Sequence, residues 1–364
     1  MSNTKVLIVD DSALVRDMIR AMIEVDHETE VVGEASNGLE AVEMVRELRP
    51  DIVTMDIDMP VMDGLQAIEQ IMAENAVPIL VVTSRGDAKT AFAAISKGAL
   101  DLVVKPDVDL EGAHEFVAKL KLMSKVKVIS HIAGRFPRRT AVTPEGADAT
   151  DGTDGTDGTA RAGESAGRLV AVASSTGGPD ALSIILSRLP GDFPVPIVIA
   201  QHMSDGFVRG MVDWLMTISA IRIQVAVDGE HLKPGVAYFS PSENHMRIEK
   251  PGRIALVARQ AKDIYRPSCD TLLSSVSEAY GERSIGVILT GMGSDGVLGI
   301  RRIKEAGGVT IAQDEATSII FGMPRLAMED GTVDRVLPIE KIGDEIVKAA
   351  AGKSVSAGRA ERCT

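Results

Sequence analysis

Short apolar runs alternate with segments of helical periodicity along two long stretches of this 364-residue chain. Over residues 4–122 we predict strands at 6–9, 31–34, 52–55, 79–82 and 100–104. From Leu169 onward the alternation resumes, with strands predicted at 169–173, 195–200, 284–290, 308–312 and 332–336. Strict alternation of strand and helix indicates a parallel sheet with helices on both faces. The sequence therefore predicts an α/β protein made of two doubly wound parallel-sheet domains.

The apolar periodicity fades between the two stretches, which predicts a domain boundary there. Residues 124–167 include the triplet repeat DGTDGTDGT, whose aspartate spacing matches neither the EF-hand nor the nonapeptide calcium repeat. We predict domains at 1–123 and 168–350, a flexible linker at 124–167 and a disordered tail at 351–364. Within the second domain, HMRIEKPGRIALV predicts an inserted β-hairpin that turns at Pro251-Gly252.

The composition excludes several classes of protein. The longest apolar runs are far too short to cross a bilayer, and the N-terminus has no signal-peptide pattern. Cys269 and Cys363 are too few for a disulfide framework or for a zinc site of the usual spacing. The net charge of −13 argues against a nucleic-acid surface. We therefore expect a cytoplasmic protein, a monomer by default, that neither binds nucleic acid nor inserts into a membrane.

Polar residues collect at the carboxyl ends of the strands predicted in the first domain. They are Asp10 and Asp11 after the first strand, Asp56 after the third, Thr83 and Ser84 after the fourth, and Lys105-Pro106 after the fifth. Three carboxylates at one sheet edge repel each other unless a cation joins them, and Mg²⁺ prefers such oxygen ligands. A lysine and a hydroxyl beside them suit the oxygens of a phosphoryl group.

These residues carry a resemblance to a known family. DD at 10–11, MDIDMPVMDG at 55–64, TS at 83–84 and KP at 105–106 resemble the receiver domain of bacterial two-component response regulators. The resemblance implies a flavodoxin-like sheet and phosphorylation of Asp56 by a histidine kinase. It also implies Mg²⁺ bound by Asp11 and Asp56 with help from Asp10, and sensing of the phosphoryl group by Thr83 and Lys105. Leu102 stands where receivers often carry an aromatic switch residue, which puts switching by an aromatic rotamer in doubt.

Three strand ends of the second domain supply a hydroxyl, an imidazole and a carboxylate. Ser175 follows the first strand, His202 the second and Asp295 the third. Serine and glycine are also common in simple turns and helix caps, so the SSTGG stretch alone does not identify a nucleophile. Together, the three residues are what nucleophilic acyl transfer needs, because the imidazole takes the serine proton and the carboxylate orients the imidazole.

Other residues of the second domain could fill two of these roles. His231 and His245 are alternative bases, although both fall in predicted loop material. Asp270 and Asp314 are alternative orienting carboxylates with less support from strand position. Cys269 begins a helical segment, and we predict a packing role for it rather than a reactive thiol.

A glycine motif in the same domain supports a different function. Residues 291–296, GMGSDG, fit the dinucleotide-binding pattern G-x-G-x-x-G, with Asp314 about twenty residues further on. The alternative hypothesis is therefore a phospho-regulated nucleotide-binding or non-enzymatic adaptor module that uses the Gly291–Gly296 loop. Against it, the motif comes late in the domain and places a carboxylate where a pyrophosphate needs backbone amides.

A second resemblance favours the enzyme. The blocks that carry it are SSTGGP at 174–179, QHMSDGF at 201–207, SPSENHM at 240–246, RPSCDTLL at 266–273, ILTGMGSDG at 288–296 and FGMPR at 321–325. They resemble the chemotaxis protein-glutamate methylesterases, in which a receiver precedes the esterase domain.

The second resemblance implies a Rossmann-like hydrolase domain that needs no cofactor for the esterase reaction. It implies Ser175 as nucleophile, His202 as base and Asp295 as orienting acid, with Thr176 and the Met292 amide as oxyanion contributors. The expected substrates are methylated cytoplasmic domains of chemoreceptors, with deamidation of receptor glutamines by the same chemistry. Ala173-Ser174 departs from the Gly-Ala usual before the nucleophile, so the hydroxyl of Ser174 is a possible decoy in mutagenesis.

Overall fold

The structure is a computed structural model that describes residues 3–84, 88–105, 112–128, 167–260 and 263–352. Most of the predicted linker at 124–167 lies outside the described residues, as does the predicted tail from residue 353 on. Pro106 and Cys363 also lie outside them. The domain boundaries proposed from the sequence stay predictions.

The N-terminal half forms a five-stranded parallel sheet in the order β2-β1-β3-β4-β5. Its elements are β1 Thr4–Val9, α1 Ala13–Glu24, β2 Thr29–Ala35, α2 Gly38–Leu48, β3 Ile52–Met55, α3 Gly64–Glu74, β4 Ile79–Thr83, α4 Ala88–Ser96, β5 Asp101–Val104 and α5 Ala113–Met123. The strand order reverses direction at β1, and open α/β sheets place their ligands at such a point. The flavodoxin-like prediction is confirmed.

The C-terminal half forms a seven-stranded sheet in the order β14-β13-β12-β6-β7-β9-β8, with every neighbouring pair parallel. The strands are β6 Leu169–Ser174, β7 Ile197–Gln201, β8 Arg222–Val225, β9 Val236–Phe239, β12 Ser284–Ile288, β13 Val309–Gln313 and β14 Arg335–Leu337. The helices are α6 Gly178–Leu186, α7 Val208–Met216, α8 Cys269–Tyr280, α9 Val297–Glu305, α10 Met323–Glu329 and α11 Ile339–Ala350. The doubly wound architecture predicted for this half is confirmed.

Two strands of the C-terminal sheet were not predicted from the sequence. β8 and β9 have four residues each and are flanked by polar residues, proline and glycine, so neither forms a long apolar run. They extend the sheet beyond β7, and β9 is fully buried. The predicted hairpin is present as β10 Asn244–Glu249 and β11 Arg253–Ala258, which pair antiparallel around a turn at residues 250–252.

Local capping fixes several helix starts. Asn37 and Asp63 each accept a hydrogen bond from the backbone three residues on, before α2 and α3. Ser268 does the same for α8 through the N–H of Thr271. Such caps satisfy backbone N–H groups that the first turn of a helix leaves unpaired.

The two halves of the chain touch along α4 and α7. Phe92 of α4 stacks on Trp214 of α7, with ring centroids 5.8 Å apart and an interplanar angle of 15°. Ile319, between β13 and α10, packs against an apolar cluster of the N-terminal half. The same side chain covers Gly177, where an added Cβ would lie 2.7 Å from the Cβ of Ile319. Contact between the halves therefore reaches the turn just after Ser175.

None of the described helices has the length and apolar character that crossing a bilayer requires.

Candidate functional site

The carboxyl edge of the N-terminal sheet brings three aspartates together. Oxygens of Asp10, Asp11 and Asp56 lie within 4.8 Å of one another. The loop after Asp56 turns back so closely that a Cβ on Gly64 would lie 2.0 Å from the carbonyl oxygen of Asp56. Only glycine fits at that approach, which explains the glycine that ends the 55–64 motif. Three carboxylate donors at this spacing fit a hard divalent cation such as Mg²⁺.

Of the described residues, Lys105 places a cation against these carboxylates. Its Nζ lies 2.9 Å from Asp10 Oδ2 and 2.8 Å from Asp56 Oδ2. Burial and the nearby charge of Asp10 outweigh the opposing effect of Lys105 and raise the pKa of Asp56 to about 6. Burial works to lower the pKa of Lys105, but hydrogen bonds from it to Asp10 and Asp56 outweigh that effect and raise it. The edge holds more buried negative charge than one lysine neutralises.

Thr83 and Leu102 stand beside this cluster. The Thr83 side chain is fully buried, and its Oγ1 has no hydrogen-bond partner among the described residues. A buried hydroxyl without a partner is unfavourable, and a phosphoryl oxygen would satisfy it. Leu102 is buried in β5, so the position where receivers often carry a switching aromatic holds an aliphatic core residue.

At the corresponding edge of the C-terminal sheet, His202 and Asp295 are joined. The Nε2 atom of His202 lies 2.8 Å from Asp295 Oδ2. The His202 ring also stacks on Tyr265, with centroids 5.1 Å apart and an interplanar angle of 14°. These contacts hold one ring nitrogen on the carboxylate and leave Nδ1 as the nitrogen available to another group.

The start of α8 surrounds the other lone pairs of Asp295. Its carboxylate accepts hydrogen bonds from the N–H of Cys269 at 2.6 Å, the N–H of Asp270 at 2.9 Å and the Ser268 hydroxyl at 3.2 Å. Burial works to raise the pKa of Asp295, but His202 and these backbone donors outweigh it and hold the pKa below its usual value. A carboxylate at a helix N-terminus is also favoured by the helix dipole. Asp295 is therefore a stable anion.

Ser175 lies beside His202 at the carboxyl edge of the sheet. The last residues of β6 and β7, Ser174 and Gln201, pair directly, and the N–H of His202 donates to the carbonyl of Ser174 at 3.0 Å. Ser175 and His202 are thus the first residues beyond two adjacent strands. Among the described residues no hydrogen bond joins the Ser175 hydroxyl to His202. Catalytic hydrogen bonds of this kind often close only when substrate is bound.

Gln201 ties the backbone of this edge together. Its buried amide donates to the carbonyls of Ser175 at 2.9 Å and His202 at 2.8 Å. The Ser174 hydroxyl donates to the amide oxygen of Gln201 at 2.6 Å. Ser174, the residue that departs from the family pattern, is therefore directed at Gln201 and not at the imidazole. No role had been assigned to Gln201 from the sequence.

Thr176 and Met292 lie at the same edge as Ser175. The Thr176 carbonyl accepts a hydrogen bond from Thr290 Oγ1 at 2.9 Å. Gly291 is so near that a Cβ on it would lie 2.6 Å from the Cβ of Ser175. Its N–H donates to the Ile320 carbonyl, so the next amide, that of Met292, is the better candidate for an oxyanion donor. These two roles stay predictions.

The alternative bases are occupied elsewhere. The prediction that His245 lies in loop material is wrong, because it stands in β10, is buried and bonds Asp263. It is the second residue of the hairpin, whose sequence pattern already begins at this histidine. His231 is exposed and forms an isolated bridge with Arg253.

The alternative carboxylates also have other partners. Asp270 accepts hydrogen bonds from the N–H groups of Gly296 and Gly299, at the start of α9. Asp314 accepts from the N–H and the hydroxyl of Thr317. Neither is bonded to His202 in the described structure. Since the Asp270 carboxylate already occupies the α9 N-terminus, the nucleotide-binding hypothesis loses the backbone amides that a pyrophosphate would need.

Cys269 completes a set of possible metal ligands with His202 and Asp295. The thiol Sγ lies 3.5 Å from His202 Nε2. Full burial, together with the charge of Asp295, raises the pKa of the Cys269 thiol well above its usual value. A buried, protonated thiol is neither a nucleophile nor a good metal ligand. The packing role predicted for Cys269 agrees with this environment.

Both halves of the chain match known protein families. Residues 6–117 match the model described as Response regulator receiver domain, and residues 170–346 match the one described as CheB methylesterase. The chain is 48% identical over 353 residues to the protein-glutamate methylesterase/protein-glutamine glutaminase 3 of Paramagnetospirillum magneticum, covering 97% of each chain. It is 41% identical to the protein-glutamate methylesterase/protein-glutamine glutaminase 2 of Anaeromyxobacter dehalogenans, covering 93% of this chain and 94% of that one. Among solved structures it is similar to the Thermotoga maritima CheB methylesterase catalytic domain, with 39% identity, a TM-score of 0.49 and coverage of 50% of this chain and 98% of that chain.

Proposed function

This chain belongs to the family of the protein-glutamate methylesterases/protein-glutamine glutaminases, and from that membership we propose that Ser175, His202 and Asp295 are its catalytic triad. The protein is a phosphorylation-activated hydrolase that removes methyl groups from glutamate γ-methyl esters of chemoreceptors and deamidates receptor glutamines in chemotaxis adaptation. The observation that supports the triad is the 2.8 Å hydrogen bond between His202 and Asp295. His202 follows β7, the strand that pairs with β6, and Ser175 follows β6.

In the proposed acylation step, Ser175 Oγ attacks the ester carbonyl carbon and gives its proton to His202 Nδ1. Asp295 accepts the hydrogen bond from Nε2, which fixes the tautomer and stabilises the imidazolium. Thr176 and the Met292 amide are the proposed donors to the oxyanion. When the tetrahedral intermediate collapses, the C–O bond breaks and the proton on Nδ1 leaves with methanol.

Deacylation uses the same groups in the opposite sense. His202 Nδ1 takes a proton from a water molecule, the resulting hydroxide attacks the acyl carbon, and the proton returns to Ser175 Oγ as the glutamate leaves. With a glutamine substrate the leaving group of the first step is ammonia. The esterase reaction needs no cofactor in this scheme.

We further propose that Asp56 accepts the phosphoryl group from a histidine kinase. Asp10, Asp11 and Asp56 would hold Mg²⁺, which when bound neutralises charge on the phosphoryl oxygens. Lys105 and the unpartnered hydroxyl of Thr83 then face the modified group. α4 is the helix that follows β4 along the chain, and it packs on α7, so a change at this edge would reach the contact between the halves through α4.

The test is methanol release from a methylated cytoplasmic fragment of a chemoreceptor. We expect Ser175→Ala to abolish release and Ser187→Ala, at the residue that follows α6, to leave it unchanged. A serine-directed phosphonate should label Ser175 and leave Ser174 unlabelled in the peptide map. Undiminished release by Ser175→Ala would refute the proposal, and saturable NAD or ATP binding lost in Gly293→Val would support the nucleotide-binding hypothesis instead.

A further inference from the structure

A second imidazole, outside the triad, is bonded on both of its nitrogens. His245 lies in β10 and is 8% exposed. Its Nε2 lies 2.9 Å from Asp263 Oδ2, and its Nδ1 accepts the backbone N–H of Ser268 at 3.0 Å. A backbone N–H can only donate, so Nδ1 is the acceptor and Nε2 carries the proton. Asp263 thereby fixes the neutral tautomer of His245 that can hold Ser268.

Ser268 connects this imidazole with the triad. It is the residue before α8, and its hydroxyl both caps Thr271 and donates to Asp295 Oδ1 at 3.2 Å. The next two backbone N–H groups, of Cys269 and Asp270, complete the donor set around Asp295. The position of Ser268 therefore determines where three donors to the triad carboxylate point.

We propose that His245 is a positioning residue for the esterase reaction. By holding the N–H of Ser268, it sets the start of α8 on Asp295, and Asp295 in turn holds His202 in the tautomer that leaves Nδ1 free for Ser175. His245 itself does not touch the substrate, and both of its nitrogens are already bonded. The proposal rests on the triad proposed above. It adds the hydrogen bond that the N–H of Ser268 donates to His245 Nδ1.

Two replacements at position 245 separate this role from simple packing. The amide oxygen of His245→Asn can still accept the N–H of Ser268, whereas His245→Leu fills similar space and accepts nothing. We expect His245→Leu to lower kcat about ten- to hundredfold with little change in KM, the range seen when outer hydrogen-bond partners of metal-site residues are removed. His245→Asn should recover most of the loss. His231→Gln, at the exposed histidine, is the matched control and should behave as the unaltered protein.

Proton NMR provides a readout that packing alone would not move. The proton that His202 Nε2 shares with Asp295 should give a low-field resonance, assigned by its loss in His202→Asn. We expect that resonance to shift or broaden in His245→Leu and to stay in place in His245→Asn and His231→Gln. A folded His245→Leu protein with unchanged kcat and an unchanged resonance would overturn the proposal.

If His245→Leu does not fold, the tautomer can be measured in the unaltered full chain. Nitrogen-15 shifts should show His245 protonated on Nε2 and unprotonated on Nδ1, and a proton on Nδ1 would contradict the proposal. A different result would show that the triad proposal is wrong: Ser175→Ala would then retain methanol release, whatever the His245 variants do. With Ser175→Ala inactive, wild-type behaviour of both position-245 variants rejects only the positioning role.

Discussion

Both halves of the chain bury an aspartate at the carboxyl edge of a parallel sheet, but their surroundings shift the two pKa values in opposite directions. Asp56 and Asp295 are each 3% exposed, so burial is common to both. At Asp56, burial and the neighbouring carboxylate of Asp10 outweigh Lys105 and raise the pKa to about 6. At Asp295, His202 and the backbone donors of α8 outweigh burial and lower the pKa.

The difference matches what each edge has to do. Among the residues that the structure describes, the N-terminal edge is short of positive charge and the hydroxyl of Thr83 has no partner, so the proposed cation and phosphoryl group would stabilise it. The C-terminal edge has its donors in place before any substrate binds, which is the arrangement that stabilises charge developing during a reaction. One edge is built to change state and the other to stay fixed.

The largest expected effect comes from removing the carboxylate of the fixed edge. Asp295→Asn should lower kcat by on the order of 10⁴-fold, because an amide no longer fixes the tautomer of His202. Single-turnover methanol release measures it. Asp270→Asn is the comparison variant, expected to retain both stability and most turnover, because the amide oxygen of Asn can still accept the N–H groups of Gly296 and Gly299. If Asp270→Asn instead abolishes turnover, Asp270 is the orienting acid.

The next largest effect concerns the edge that changes state. A small phosphodonor with Mg²⁺ should stimulate methanol release about 5- to 150-fold, the usual range for coupling between two sites. Asp56→Asn should keep basal release and lose the stimulation, and EDTA should have the same consequence because the three carboxylates then lack their cation. Asp58→Asn, at an exposed carboxylate two residues on, should respond normally. Stimulation that persists in Asp56→Asn would place the acceptor elsewhere.

The residues at strand ends were the predictable part of both edges. Asp10, Asp56, Ser175 and His202 each follow a short apolar run, and parallel strands bring such positions to one edge. The periodicity of the sequence therefore predicts which residues lie at the same sheet edge, although it does not predict their side-chain contacts. It also explains why β8 and β9 were missed, since runs of four residues beside proline and glycine carry little periodic signal.

The groups that distinguish the two edges could not be predicted in this way. The donors to Asp295 come from Ser268, Cys269 and Asp270, which follow no strand and reach the edge only through the packing of α8. The contact of His245 with Ser268 forms only because the β10–β11 hairpin packs against the start of α8. The one available signal was the RPSCD block, which marked a helix start with a serine cap but not the carboxylate it faces.

A smaller effect is expected at the contact that joins the two halves. Phe92→Leu keeps apolar bulk but loses the stack on Trp214, an interaction of about 0.5–1.5 kcal/mol. If this contact restrains the esterase half, basal methanol release should rise by about two- to tenfold. Trp214 is the only tryptophan, so its fluorescence should change in the same variant. Thr90→Ser, at an exposed position of α4, should alter neither signal, and unchanged basal release in Phe92→Leu would remove the stack from the regulatory contact.

The last prediction is expected to leave activity unchanged, and it tests through stability whether a carboxylate without strong donors carries a raised pKa. Asp180, in the first turn of α6, has its pKa raised to about 6 by burial and by Glu340. Between about pH 4 and pH 6 the folded protein therefore holds a proton on Asp180 that the unfolded chain has lost. The contribution of this proton to the free energy of unfolding is fully present below pH 4 and is lost as the pH rises through 6. Asp180→Asn should therefore gain about 1–3 kcal/mol in urea unfolding at pH 7.5 and nothing at pH 4. Asp192→Asn, at an exposed carboxylate, should leave the free energy of unfolding unchanged at both pH values. An equal gain at both pH values in Asp180→Asn would mean that ionisation of Asp180 is not the cause. A pH-dependent gain would show that a half-buried carboxylate without the donor set of Asp295 destabilises the fold when it ionises. That result would support those donors as the reason that Asp295 stays an anion.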